Sequence, residues 1–404
     1  MHASPSGASA RPVWVALDVM RGLAAVLMIL NHAGFAWLSA RNATESTSGY
    51  VVFAGSFAPV LFFFVTGAGA GFSDAKRRRP ADFKLLLPKV AMLVVADQFF
   101  AWTQGAAWGL DFFSFIAISA LVVDLASRAR RSELCCALLA IGLLLMRYGV
   151  GPMLGQQGSG GPLLDWLVGV KPVAGVSYPA SPWLVYPLLG FIFGRNCARA
   201  RWESVRPSSR ALAVSLVGTA FLFTASAAMA WRGLAVFRWG TMSATYFALS
   251  LAVLLASVQV AFLVEKRSPR AAGALALPGT ASFALIPVHY FLIAVVSGAM
   301  PGWVPMPPSS FAMFVAVAVV LSFLASGVFA RSLEGPAVRQ QRSWLALACL
   351  GLIVACALAA IVSKGHDHFV ATAQLFLGQM AVAAFVALGW PRRPYTPSTD
   401  AARG

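Results

Sequence analysis

Charge is scarce in this sequence. Only 11% of its 404 residues are Asp, Glu, Lys or Arg, and the acidic ones number 14. A soluble globular domain carries about 25%, so an ordinary water-facing surface is excluded. Period-two alternation of apolar and polar residues is also missing, which argues against a β-barrel. The five cysteines, Cys135, Cys136, Cys197, Cys349 and Cys356, form no C-x-x-C and no Cys/His spacing. Neither a zinc site nor a disulfide framework is expected, and they read as small apolar residues. No A-x-A-like cleavage site follows the first hydrophobic stretch, which is longer than a signal-peptide core. That stretch is expected to be a retained span.

What the sequence has is hydrophobicity, at 59% of residues and a mean hydropathy of +0.75. Apolar runs of the length that crosses a bilayer, about 20 residues, recur along it. The fold class expected is all-α: a polytopic membrane helical bundle of about 10–12 transmembrane helices. Twelve spans are placed at about 13–38, 50–72, 84–103, 108–127, 134–150, 181–194, 211–230, 241–264, 272–300, 309–330, 344–362 and 369–390. Residues 1–12 read as a flexible tail, 13–390 as one integral membrane unit and 391–404 as a polar tail. The longest outer loop, 151–180, is rich in Gly and Pro and apolar enough to lie in the interface or cover a cavity mouth.

A net charge of +17 tempts one toward nucleic acid. The Lys and Arg residues, however, gather in every second loop and in the tails, which is the positive-inside bias and puts both termini in the cytoplasm. The same bias favours anionic lipid, or an anionic cytosolic substrate such as a nucleotide-bearing cofactor.

The first span, VWVALDVMRGLAAVLMILNHAGFAWL, stands apart because it carries Asp18, Arg21 and His32. Ionisable groups inside a span cost several kcal/mol unless paired or facing water, and so mark function by default. At about 100° per residue the three share one face, with Arg21 and His32 about 16 Å apart along the axis. Asp18 and Arg21, at i and i+3, read either as a structural ion pair or as a pair whose arginine meets an anionic ligand. His32 is either a hydrogen-bonded interfacial histidine or a general base. His289 in the ninth span is about 25 Å from that span's entry at Ala272, against about 28 Å for His32. The two could therefore share a level.

Other motifs read more plainly. GAGAG at Gly67–Gly71 follows no strand, so close helix packing explains it better than a phosphate loop. His366 and His368 make an H-x-H without further ligands, and no metal site is expected. Asn42-Ala43-Thr44 fits the glycosylation triplet. Asp97, Asp111 and Arg147 are polar residues in or near spans, with no spacing that distinguishes them.

LDVMRGLAAVLMILNH resembles the opening of the membrane-bound acyltransferase superfamily, which includes acyltransferase family 3, OpgC-like succinyltransferases and heparan-alpha-glucosaminide N-acetyltransferase-like proteins. The matching positions are Leu17, Asp18, Arg21, Gly22 and His32. LFFFVTGAGAGF resembles the family's second span, with Thr66-Gly67 at its Ser-Gly. PWLVYPLLGFIFGR, which holds Trp183, resembles its Pro…Gly-x-x-x-Gly-Arg span. ALPGTASFALIPVHYFLI resembles its Ser/His helix through Gly279, Ser282 and His289, although Ile286 stands where the family has Tyr.

The resemblance implies a multi-pass enzyme of the inner or plasma membrane. It would move an acyl group, typically acetyl, from cytosolic acyl-CoA to a hydroxyl or amine of an extracytoplasmic sugar, glycan or envelope acceptor. By this resemblance His32 would be catalytic and Arg21 would hold the donor; the spacing adds His289 beside His32 and Asp18 beside Arg21 as candidates, and Asn31, Trp183 and Ser282 are the candidates to meet the acceptor. Membrane lipids are the other partners expected.

Two further readings belong to other classes. One is a proton-coupled carrier of about 12 spans, since GFSDAKRRR partly resembles the inner loop of major facilitator carriers. The other is a non-catalytic partner in an envelope-synthesis complex.

Overall fold

The computed structural model describes residues 14–39, 47–76, 83–103, 106, 108–156, 161–171, 173–201, 209–233, 242–362 and 368–388. Both expected tails, the Asn42-Ala43-Thr44 triplet, Arg77–Arg79 and His366 lie outside them. The described chain is helical, with isolated bridges only, among Leu110, Val173 and Val176.

Each of the twelve expected segments contains helix over most of its described residues. They are α1 (Val15–Trp37), α2 (Thr47–Gly55) with α3 (Ala58–Lys76), α4 (Phe83–Thr103), α5 (Phe112–Ser127), α6 (Ser132–Leu144), α7 (Val185–Arg199), α8 (Ser209–Trp231), α9 (Ala244–Arg267), α10 (Pro269–Leu275) with α11 (Gly279–Ala299), α12 (Pro308–Leu333), α13 (Arg342–Val362) and α14 (His368–Leu388). Among the described residues, nine helices are long and apolar enough to cross a membrane. Local chemistry sets several starts. The Ser243 hydroxyl accepts the Tyr246 N–H at the head of α9, and the Ser268 hydroxyl accepts the Ala271 N–H at the head of α10, where Pro269 takes the first turn.

Burial sorts the helices into centre and rim. Of an 18-residue stretch within Tyr50–Lys76, 67% is buried, against 11% of one within Leu212–Trp231. Exposed Leu, Val and Phe side chains cluster on α6, α8, α12 and α13. An apolar exterior of this kind suits lipid rather than water. α1 is central and packs against α2, α3, α9, α10, α11 and α12.

The closest helix pairing is α3 on α7, and its cause is visible in the residues. A Cβ added at Gly67 or Gly71 would overlap the carbonyls of Pro187 and Phe191, and one at Gly190 or Gly194 would overlap those of Phe64 and Ala68. Small residues on both helices thus let the two backbones touch. The GAGAG run and the Gly-x-x-x-Gly span are two halves of one contact. At the end of this pairing Arg195 hydrogen-bonds Ser132 and lies 3.5 Å from Asp74 and 3.7 Å from Glu133. Arg199 reaches the same Glu133 at 2.6 Å.

One expectation is corrected. The ninth span does not run unbroken from Ala272. The helix stops after Leu275 and restarts at Gly279, with Pro278 as the residue before its first turn. Proline fixes its own φ and disfavours helix at the residue before it. His289 therefore sits about 15 Å into α11, ten residues from Gly279, and the depth measured from Ala272 does not apply.

Candidate functional site

α1 carries a polar group at each end. Toward its N-terminus Asp18 and Arg21 form a hydrogen-bonded ion pair, one turn apart, with side chains 15% and 21% exposed. The Arg21 guanidinium lies over Gly69 of α3, where a Cβ would come within 3.4 Å of Nη2. The helix break joins them: the Leu277 N–H donates to the Asp18 carbonyl at 2.9 Å, and a Cβ on Gly22 would overlap the Leu275 carbonyl. Trp14 closes this end by stacking on Phe72 and Phe193, at 5.3 and 5.9 Å, beside Phe262. Lys76 lies over Phe72, and Lys266 over Phe262. The basic ends of α3 and α9 therefore lie at the same level as the start of α1.

Toward the other end of α1, His32 meets His289. Their Nδ1 and Nε2 atoms are 2.8 Å apart, and the rings lie 15° from parallel. His289 is fully buried and its Nδ1 is 2.9 Å from the Leu285 carbonyl. A carbonyl can only accept, so this contact assigns the proton to His289 Nδ1. His289 Nε2 then accepts from His32 Nδ1–H, and His32 is left with its lone pair on Nε2. The Tyr290 hydroxyl approaches that Nε2 at 3.4 Å. In neutral form the pair is thus an ordered chain that presents one basic nitrogen.

The surroundings hold this end in place. The Trp37 indole N–H donates to Ser297 Oγ at 3.2 Å and the Ile293 carbonyl at 3.4 Å, while the Met306 N–H donates to the Trp37 carbonyl at 2.6 Å. The Asn31 amide donates to the Val52 carbonyl at 3.0 Å, tying α1 to α2. Trp183 is fully buried among Phe63, Tyr178 and Tyr186, with ring centroids 5.9, 5.0 and 5.9 Å away. The Ser282 hydroxyl donates to the Gly279 carbonyl at 2.7 Å, one turn into α11. The structure thus joins His32 to His289 and Asp18 to Arg21, sets Asn31 against α2, and seats Trp183 and Ser282 in separate surroundings.

Two features carry no distinguishing signal in the sequence. Tyr290 follows His289 directly and reaches His32 only because of how α1 and α11 pack. Asp97 is a helix cap supplied from another helix: its carboxylate accepts the N–H groups of Asp111, Phe113 and Ser114 at 2.9, 3.2 and 2.6 Å, over the first turn of α5. An anion is favoured there by the orphan N–H groups and the helix dipole. The long loop lies across this same start. Leu110 N–H donates to the Gly175 carbonyl at 2.7 Å, and Ser177 N–H to the Leu110 carbonyl at 3.1 Å. Burial first, then the nearby Asp111 carboxyl, hold the Tyr178 phenol in that loop above its usual range. Among the described residues, no three His, Cys, Asp or Glu side chains converge as metal ligands would.

Fold and site together define a multi-pass integral membrane protein whose central helix carries an ion pair at one end and a histidine pair at the other. The family described as heparan-alpha-glucosaminide N-acetyltransferase, catalytic, matches residues 14–223, just over half of the chain. The chain belongs to this membrane acyltransferase family. No curated protein and no solved structure matches it. The matched region takes in Asp18, Arg21, His32 and the α3–α7 contact, and ends before His289 and Tyr290.

Proposed function

We propose that the protein transfers an acyl group, acetyl by family, from cytosolic acyl-CoA to a hydroxyl or amine of a sugar or glycan acceptor beyond the membrane. The observation that carries this is the ordered histidine pair, which leaves a lone pair on His32 Nε2. His32 Nε2 removes the acceptor's proton as its oxygen or nitrogen attacks the thioester carbonyl. His289 accepts the His32 Nδ1–H and so orients the ring, the part a carboxylate plays in better-known dyads. As the carbon–sulfur bond breaks, the proton on His32 passes to the leaving thiolate. Ester or amide and free CoA thiol are the products.

Arg21, with Asp18 beside it, holds the anionic part of the donor. A guanidinium suits phosphate, and Gly69, without a Cβ, lets it lie close against α3. The arm between phosphates and thioester then spans the roughly 16 Å that separates Arg21 from His32 along α1. Asn31, next to His32, is the first acceptor-side candidate and Trp183 the second, while Ser282, in the first turn of α11, lies nearer the Asp18 end than His289 does. The termini lie in the cytoplasm and the membrane is the cell's inner or plasma membrane.

The test incubates purified protein with labelled acetyl-CoA and membrane glycans and follows label onto the acceptor. His32→Ala should lower turnover by roughly 10²–10⁴-fold, the usual worth of a general base, with the protein still folded in the membrane. Full turnover in that variant refutes the assignment.

A further inference from the structure

Tyr290 occupies the place where the histidine pair meets its reactant. Its ring stacks on His32 with centroids 4.7 Å apart, lies 4.7 Å from His289, and is backed by Phe100 at 5.7 Å. Its hydroxyl is 3.4 Å from His32 Nε2. The distance is long for a hydrogen bond, as catalytic contacts often are before substrate binds. The proton assignment makes Nε2 the basic atom of the pair, so an acceptor hydroxyl or amine must arrive beside the Tyr290 O–H. Two other side-chain donors near this end are engaged: the Trp37 indole with Ile293 and Ser297, and the Asn31 amide with Val52.

We propose that Tyr290 is a catalytic residue of the acyl transfer, an inference that rests on the function proposed above. At rest its hydroxyl lies 3.4 Å from His32 Nε2. When the acceptor takes that position, the same O–H turns to the thioester carbonyl oxygen. His32 Nε2 gains the acceptor's proton as the new carbon–oxygen or carbon–nitrogen bond forms. The carbonyl π pair moves onto oxygen, and the Tyr290 O–H donates a hydrogen bond to that oxyanion without giving up its proton. The pair then returns, the carbon–sulfur bond breaks, and the thiolate takes the proton from His32. A fixed donor aimed where charge develops in a water-poor site is the usual source of such stabilisation. Phe100 and the two imidazoles confine the ring, so the hydroxyl swings over a short arc.

The experiment uses the full chain in nanodiscs, labelled acetyl-CoA, and a detergent extract of membrane glycans as the probe acceptor. Tyr290→Phe keeps the ring and its stacking and removes the donor. We expect kcat to fall roughly 10²–10³-fold while KM for acetyl-CoA and for the extract stays within about threefold. A kcat within about threefold of wild type, or a loss carried wholly by KM, overturns the proposal. Should Tyr290→Phe not fold, fluorotyrosine at 290 keeps the shape and makes the phenol a stronger donor; an unmoved kcat there overturns it as well. His32→Ala separates the two claims. If wild type transfers no label, or His32→Ala keeps full turnover, the acyl-transfer function falls and this inference with it. If wild type is active, His32→Ala is dead and Tyr290→Phe is normal, only the role of Tyr290 falls.

Discussion

His32 and His289 are 257 positions apart in the chain, and their ring nitrogens meet at 2.8 Å. The contact is directional, because the Leu285 carbonyl decides which nitrogen of His289 is free to accept. His289→Ala should therefore lower kcat by roughly 10²–10⁴-fold, the range seen when an orienting partner is removed from a dyad. His289→Gln, whose amide oxygen can still accept from His32, should recover part of it. Label transfer with both variants is the measurement. Equal losses in Ala and Gln, with unchanged thermal midpoints, would speak against an orienting role.

The Asp18–Arg21 pair makes a second prediction, in stability rather than rate. Removing Asp18 alone leaves a guanidinium without its counter-charge in a largely dry place. Asp18→Ala should then cost up to about 3 kcal/mol. Replacing both, as Asp18→Ala with Arg21→Met, should restore much of the thermal midpoint in detergent while acetyl-CoA binding stays weak. A double variant no more stable than Asp18→Ala would show that the loss is not an unpaired charge.

The α3–α7 contact allows a comparison between glycines. A Cβ at Gly190 would overlap the Phe64 carbonyl and press on the Ala68 N–H, whereas one at Gly142 meets nothing within 4 Å. Gly190→Val should destabilise by roughly 1–3 kcal/mol, and Gly142→Ala should be neutral or slightly stabilising. Size-exclusion profiles and thermal midpoints of the two proteins check this. Equal behaviour would mean that α7 can move off α3 at little cost.

The cap on α5 can be tested by changing charge without shape. Asp97→Asn puts an NH₂ group where one oxygen accepted a backbone N–H, and removes the charge that favours the helix N-terminus. About 1–3 kcal/mol should be lost. Unfolding in denaturant is the readout, and an unchanged midpoint would show that the amide caps as well as the carboxylate.

Much of the fold is legible in the amino-acid sequence, because a bilayer reduces the problem to finding apolar runs of sufficient length, and each of the twelve runs holds helix, nine of the described helices being long enough to span. The shared face of Asp18, Arg21 and His32 is legible too, since helical periodicity needs only α1 itself. Packing by the GAGAG run follows from residue size. The rest depends on contacts between distant segments. The break before α11 places Leu277 on the Asp18 carbonyl, and no local pattern says which helix will accept that N–H. Tyr290 looks like one more aromatic residue in an apolar span until α1 lies beside it. Asp97 looks like a buried acid until the head of α5 turns toward it.

The backbone links between α1 and the segments flanking α11 have a mechanical consequence. Leu277, just before α11, is bonded to Asp18 near one end of α1, and Met306, just beyond α11, is bonded to Trp37 at the other. These anchors are about 28 Å apart along α1, and the histidine contact lies between them like a rung between two fixed rails. A helix too long for the bilayer around it can adjust by tilting. With both ends fastened, α1 and α11 tilt as one body, and the imidazoles keep their distance while the slope of the membrane around them changes.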